Sequence, residues 1–234
     1  GRRQTLHASA FRALERLPVP PAVLAHHGES AGALVARADV LLQLDRAGTD
    51  AAGRGAFVDA AQFFGRAVER TSLDVTARGP ALVAHADALW RAGDITGAKA
   101  VATEVLALAG DAALAEAVLA DAVVIHAWFG AGFGVDRSSV AAAEAALEVV
   151  TDPLQQARLL VAAAFQHATW GSPMRVALEA VAAAQAALPD PCPPEVAADA
   201  LLSESQALLG SPDLARRERV ADELLAVSYT HLTL

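Results

Sequence analysis

Apolar residues recur every three to four positions along most of the chain, which predicts amphipathic helices separated by short polar breaks. These segments pair into five expected helical hairpins, preceded by two further helices. The hairpins cover residues 35–52 with 55–70, 77–92 with 94–108, 112–129 with 137–150, 153–170 with 173–188, and 194–209 with 212–226, and the two preceding helices cover residues 2–17 and 21–31. The pattern therefore predicts an all-α chain.

A period of about 39 residues runs through this pattern. Glycines between paired helical segments are spaced 38, 39, 39 and 39 residues apart, at positions 55, 93, 132, 171 and 210. A fixed period of this length is the signature of repeat architectures, in which each unit buries its apolar face against the next. We therefore expect a right-handed superhelix of about five tetratricopeptide-like hairpins.

The helix starts have local support in the sequence. Asp152–Pro153, Ser172–Pro173 and Ser211–Pro212 each place a side-chain acceptor at the expected N-cap and a proline at the first helical position. Asp94, which follows Gly93, is likewise an expected N-cap, although no proline follows it. The proline-rich segment 188–194 cannot be helical and is predicted to be a stiff linker between hairpins.

Two of the hairpins carry a recognisable motif. The motif begins with a glycine and has a bulky apolar residue two positions later, an alanine five positions later, and apolar or small residues nine and twelve positions later. It occurs in Gly55, Phe57, Ala60, Phe64 and Ala67 and again in Gly93, Ile95, Ala98, Ala102 and Val105. This order resembles the second half of a tetratricopeptide repeat. In the first half, Gly48 and Ala86 match the small position of the family, whereas Leu44 and Leu82 stand where its tryptophan is expected.

The N-terminal segment carries a second resemblance. Arg2-Arg3-x-x-Leu6-His7, then Phe11-x-Ala13-Leu14-Glu15 and Leu24-Ala25-His26-His27, resembles the junction that follows the NTPase and winged-helix modules of large bacterial ATP-dependent LuxR-type regulators. In that family a long array of degenerate helical hairpins follows, and a C-terminal helix-turn-helix binds DNA. The segment 28–33 departs from the family's usual Gly-Asp hairpin, which leaves open an irregular first hairpin.

The resemblance implies a domain organisation and a function. We expect a helical junction over residues 1–33 and a repeat array over residues 34–226. Residues 227–234 resemble a translated sequencing adapter, the alternative being a short natural tail, so we expect an internal fragment of a longer chain. The implied function is a non-catalytic sensor and coupling region of such a regulator. A stand-alone helical scaffold for protein partners, with no transcriptional role, is the alternative hypothesis.

Composition narrows the function classes further. The chain of 234 residues is 54% apolar, holds 59 alanines, and has a net charge of −9. Alanine favours helices over strands, and an acidic chain is poorly suited to hold a nucleic-acid backbone. The uncharged stretches, such as residues 122–135, are too short for a membrane span, which needs about 20 apolar residues. With Cys192 as the single cysteine, these features predict a soluble cytoplasmic segment that binds neither membranes nor nucleic acid.

The spacing of glycines, histidines and serines along the chain does not match any nucleotide-binding, metal-binding or catalytic motif. The segment 93–100 has three residues between its glycines instead of the four of a phosphate-binding loop, and segment 130–134 fails the dinucleotide fingerprint. No two histidines have zinc-binding helical spacing with a carboxylate in register, and the adjacent His26 and His27 are expected to face different ways. Ser139, like Ser138, lacks the context of a nucleophile. We therefore expect no catalytic, cofactor-binding or metal-binding residue, and an α-helical enzyme is the weakest hypothesis.

The remaining candidate surface is the concave groove that the first helices of stacked hairpins would line. Projected onto the repeat, the predicted groove residues are Asp87, Trp90, Arg91, His126, Phe129, Phe165 and Trp170. An aromatic groove with one arginine would suit a protein or peptide partner or a small effector. The competing interpretation places the same aromatic residues in the core between hairpins.

Overall fold

The computed structural model describes residues 1–71, 75–109, 115–129, 137–169 and 172–232, except for the side chains at 75–77, 109, 129, 137 and 228–232. Within these ranges the chain forms twelve α-helices and no β-strand. The all-α fold class predicted from the periodicity is therefore confirmed. No helix in these ranges combines the length and the apolarity needed to cross a bilayer. The chain divides into two compact units, Gly1–Ala113 and Leu114–Leu234.

The first unit contains six helices whose bounds lie close to the expected segments. They are α1 (Arg2–Leu14), α2 (Pro21–Ala31), α3 (Arg37–Gly53), α4 (Phe57–Arg70), α5 (Val75–Arg91) and α6 (Ile95–Ala109), with a short 3₁₀ turn over Gly32–Leu34. Each helix packs on the next one along the chain. Leu44 of α3 and Leu82 of α5, the two residues that replace the expected tryptophan, are fully buried.

The second unit contains the remaining six helices. They are α7 (Glu116–Phe129), α8 (Arg137–Leu147), α9 (Pro153–Thr169), α10 (Met174–Ala186), α11 (Pro194–Ala207) and α12 (Leu214–Leu232). Here α9 packs against α7, α8, α10 and α11. The proline-rich segment between α10 and α11 is not helical, as predicted.

Hydrogen bonds join successive hairpins of the second unit at a repeating distance along the chain. The buried Gln166 of α9 donates its side-chain amide to the carbonyl of Ala127 in α7, 39 residues earlier. The buried hydroxyl of Ser203 in α11 lies 3.3 Å from the carbonyl oxygen of Val161 in α9, 42 residues earlier, and 2.9 Å from that of Asp199 in its own helix. Both separations are close to the glycine period, so the first helices of successive hairpins pack side by side in a recurring register.

The glycines that end helices adopt the conformation that their positions require. Gly55, Gly93 and Gly210 have φ angles of 73°, 86° and 82°, in the left-handed region that side chains with a Cβ disfavour. They lie two or three residues after the last residues of α3, α5 and α11, in the turns that the repeat period predicts. Gly132 and Gly171, the other two glycines of the series, lie outside the described residues.

The predicted N-caps are correct at two starts and wrong at two. The carboxylates of Asp94 and Asp152 each accept a backbone N–H, from Gly97 and Gln155, at 2.9 Å. The start of α10 has no side-chain cap, because the Ser172 hydroxyl is hydrogen-bonded to the His167 imidazole instead.

The last helix differs from its prediction at both ends. The cap of α12 is Asp213, which accepts the backbone N–H of Arg216 at 3.0 Å, so the helix begins two residues after the expected start. Ser211 had been the expected cap, but its hydroxyl accepts the N–H of Asp213 and forms part of the preceding turn. The helix then continues to Leu232, past the expected end at residue 226, because no proline or glycine interrupts this stretch.

Candidate functional site

A cavity between α4 and α5 in the first unit could hold a ligand, and we call it the α4–α5 groove. Its volume is about 490 Å³. Its walls combine apolar and charged side chains, which include Val58, Arg66 and Glu69 of α4, His85 and Leu89 of α5, and Asp94 at the start of α6. A concave site of mixed polarity and this size is typical of small-ligand pockets.

A glycine determines how closely the two walls approach. A Cβ at Gly65 of α4 would lie 3.1 Å from Nε2 of His85 on α5. That distance is shorter than ordinary van der Waals contact, so the imidazole packs over the bare backbone of α4. Gly65 thus positions His85 at the wall of the α4–α5 groove.

The His85 imidazole is half-buried and has no hydrogen-bond partner among the described residues. Burial lowers the pKa of His85 below its usual 6.5, outweighing the carboxylates of Asp94 and Glu104, which act in the opposite direction. At neutral pH the ring is therefore uncharged, with one nitrogen able to accept and the other to donate. Neither nitrogen has a hydrogen bond within the described part of the chain.

The charges of the groove are unequally compensated. Arg66 pairs with Glu29 of α2, donating from Nε at 3.1 Å, and Arg70 joins the same carboxylate at 2.9 Å. Burial, and then the charge of Arg70, lower the pKa of Arg66. Two arginines thus share one carboxylate, and the charge of Glu69 acts on Arg66 in the opposite direction to that of Arg70. Glu69 is exposed, and Asp94 accepts the N–H of its helix cap with one carboxylate oxygen.

The predicted groove residues of the first unit lie together on the last turns of α5. Arg91 donates from Nε to the Asp87 carboxylate at 2.8 Å, and its guanidinium lies 5.7 Å from the centre of the Phe57 ring. Trp90 is 40% exposed. These side chains form an exposed surface, and none of them lines the α4–α5 groove.

In the second unit the predicted groove residues are core residues wherever the structure describes them. His126 is 6% exposed and shares a hydrogen bond of 2.9 Å with the Ser139 hydroxyl. Phe165 is 8% exposed, and its ring centre lies 3.9 Å from that of Trp128. The competing interpretation of these aromatic positions as inter-hairpin core therefore applies to His126 and Phe165. The Phe129 side chain and all of Trp170 lie outside the described residues.

Ser139 and His126 are hydrogen-bonded as a nucleophile and its base would be, but the serine is not accessible to a substrate. Ser139 has no exposed surface, so its hydroxyl cannot reach a substrate in this conformation. The pair instead satisfies two buried polar groups between α7 and α8.

Three histidines from two segments of the sequence come together between α1 and α2. The rings of His7, His26 and His27 have centroids 5.2–5.6 Å apart, and the Nδ1 atoms of His7 and His27 lie 2.9 Å apart. His26 is exposed and His27 is half-buried, and both rings lie next to His7 of α1. Burial and then the charges of His27, His26 and Arg3 lower the pKa of His7. Among the described residues, no group of three or more His, Cys, Asp or Glu is arranged to hold a metal ion.

Comparisons with known proteins add nothing to this geometry, since no protein-family model matches the chain and no curated protein matches it significantly. The features of this chain that bear on function are therefore the α4–α5 groove and the packing of the hairpins. The groove offers an imidazole, carboxylates and an apolar wall, which can bind and orient a small polar ligand.

The second unit carries an unusual carboxyl group on α11. Burial raises the pKa of Asp199 to about 6, with Glu195 acting in the same direction and Arg158 of α9 opposing it. Arg158 is itself paired with Asp121 of α7 at 2.6 Å. Its charge is thus shared between two carboxylates on neighbouring helices.

We expect Asp199→Asn to stabilise the protein at pH 8 and to have little effect at pH 4. Because the folded-state pKa is raised, the contribution of Asp199 to stability is fully present below its unfolded pKa of 3.8 and is lost as the pH rises through about 6. After allowance for solvent screening, the variant should gain about 1–2 kcal/mol at pH 8. Urea unfolding at several pH values measures the difference, and a gain independent of pH would contradict this account.

Proposed function

We propose that this chain is a non-catalytic helical-repeat module that senses a small effector or a protein partner, within an ATP-dependent LuxR-type transcriptional regulator. The observation that supports the repeat architecture most directly is the recurring register in the second unit. Gln166 reaches Ala127 one period earlier, and Ser203 reaches Val161 at nearly the same distance. Repeats that bury their apolar faces on their neighbours form extended binding surfaces.

In this proposal the hairpins form a right-handed tetratricopeptide-like superhelix. The glycine conformations at positions 55, 93 and 210 and the hairpin bounds support it. Small-angle scattering tests the proposal, since a superhelix of stacked hairpins is longer than a globule of equal mass. A radius of gyration of about 17–18 Å, that of a globular chain of this length, would exclude it.

The regulator role rests on the resemblance of the N-terminal junction and on the α4–α5 groove as a place where an effector could bind. In such a role, effector binding would bias NTPase and DNA-binding modules encoded elsewhere in the same chain. The module itself would act by changing the stability or spacing of its hairpins, which requires neither a nucleophile nor a metal.

The sequence flanking this segment in its gene separates the two hypotheses. The regulator hypothesis expects a glycine-rich phosphate loop with Lys-Ser/Thr upstream and a helix-turn-helix downstream. A start codon directly before Gly1, with no ATPase module, would exclude the regulator role. That result would favour the alternative, a stand-alone scaffold for protein partners.

A further inference from the structure

We propose that the α4–α5 groove binds a small organic cation, an amine carried on a short alkyl chain. The inference rests on the sensing role proposed above and names the class of its effector. It draws on the volume of the groove, the balance of its charges, its free imidazole and its apolar wall.

The charge balance favours a cation over an anion. Arg66 is the basic side chain that lines the groove among the described residues, and it shares the Glu29 carboxylate with Arg70, so two arginines face one carboxylate there. The carboxylates of Glu69 and Asp94 remain on the ligand side. The two arginines against the three carboxylates of Glu29, Glu69 and Asp94 leave one net negative charge around the groove, which favours an ammonium group. The net charge of −9 on the whole chain attracts such a cation from a distance.

The neutral atoms of the groove fit the rest of such a ligand. His85 is uncharged at neutral pH, so it does not repel a cation and can accept a hydrogen bond from an N–H group. Val58 and Leu89 supply apolar surface for a short alkyl chain. A volume of about 490 Å³ accommodates a ligand of this size with several water molecules.

The test compares three probes of similar length and different charge, pentylamine, pentanol and pentanoate, with the complete 234-residue chain. NMR titration detects millimolar binding and reports its location through the signals of Gly65 and His85. We expect pentylamine to bind about tenfold more tightly than pentanol, pentanoate to bind more weakly than either, and the preference to shrink at high salt.

Variants locate the effect. Glu69→Gln should weaken pentylamine binding about three- to fivefold and leave pentanol binding unchanged, since it removes one exposed carboxylate. Glu15→Gln, on an exposed residue at the end of α1, removes the same charge away from the groove and should leave both affinities unchanged. Their circular dichroism spectra and melting temperatures should match those of the parent chain.

Two outcomes would overturn the proposal. One is equal binding of pentylamine and pentanol, and the other is equal loss of affinity in Glu69→Gln and Glu15→Gln, which would reduce the effect to net charge. Either outcome would leave the regulator role standing, because that role is tested separately by the flanking modules.

Discussion

Replacing Glu204 by alanine should destabilise the second unit by about 2–4 kcal/mol, because a buried, fully paired carboxylate is lost. Glu204 of α11 is 1% exposed, yet it accepts hydrogen bonds from Gln185 of α10 at 2.5 Å and from Arg216 of α12 at 2.7 Å. Arg219 adds a second ion pair at 3.5 Å. The carboxylate thus joins three helices, and its removal leaves a cavity and unpaired donors.

Urea unfolding measures this loss, with Glu179→Ala as the matched control. Glu179 pairs with Arg175 one helical turn away, but both side chains are exposed at 61% and 77%. An exposed pair of this kind contributes about 0.5 kcal/mol or less. Glu204→Met, which fills the volume without a charge, should be less damaging than Glu204→Ala. Equal effects of Glu204→Ala and Glu179→Ala would contradict the assignment of a buried network.

Replacing Gly48 by alanine should destabilise the first unit by about 2 kcal/mol, because the new methyl group overlaps a buried ring. A Cβ at Gly48 of α3 would lie 2.5, 2.7 and 2.8 Å from three atoms of the Phe64 ring on α4. Phe64 is 7% exposed and packs among buried alanines, so it has little room to move. The higher helix propensity of alanine returns only about 1 kcal/mol of the cost of this overlap.

The control for this prediction is Gly53→Ala near the end of the same helix. A Cβ at Gly53 meets no atom within 4 Å. The same substitution there should be neutral or slightly stabilising. A shorter side chain should relieve the overlap, so Gly48→Ala combined with Phe64→Leu should lose less stability than the two single variants add up to. Strict additivity would exclude the contact as the cause.

Much of the fold was predictable because its signals are local. The helices follow from apolar periodicity, and their ends at Gly55, Gly93 and Gly210 follow from the need for a left-handed residue after a helix. The repeat motif predicted a small residue at position 48, and the structure shows that Gly48 leaves room for the Phe64 ring. Caps were predicted less well, since Ser172 and Ser211 found other partners within hydrogen-bonding distance.

Most of the candidate site could not be predicted from the sequence. Nothing in the sequence around His85 indicates that Gly65, 20 residues earlier, lies against its ring. The hydrophobic pattern could not separate His126 and Phe165 in the core from Trp90 on the surface. All three fall on first helices of hairpins, and only packing decides which face is covered.

The sequence by itself determined the all-α class, the helix bounds to within six residues and the period of about 39. The helix signals are local, because propensity, glycine conformation and apolar periodicity act over one or two helical turns. Only the tertiary structure decided the α4–α5 groove, the three-helix network around Glu204 and the convergence of His7, His26 and His27. These features join residues that are far apart in the chain, and their positions depend on how helices approach one another.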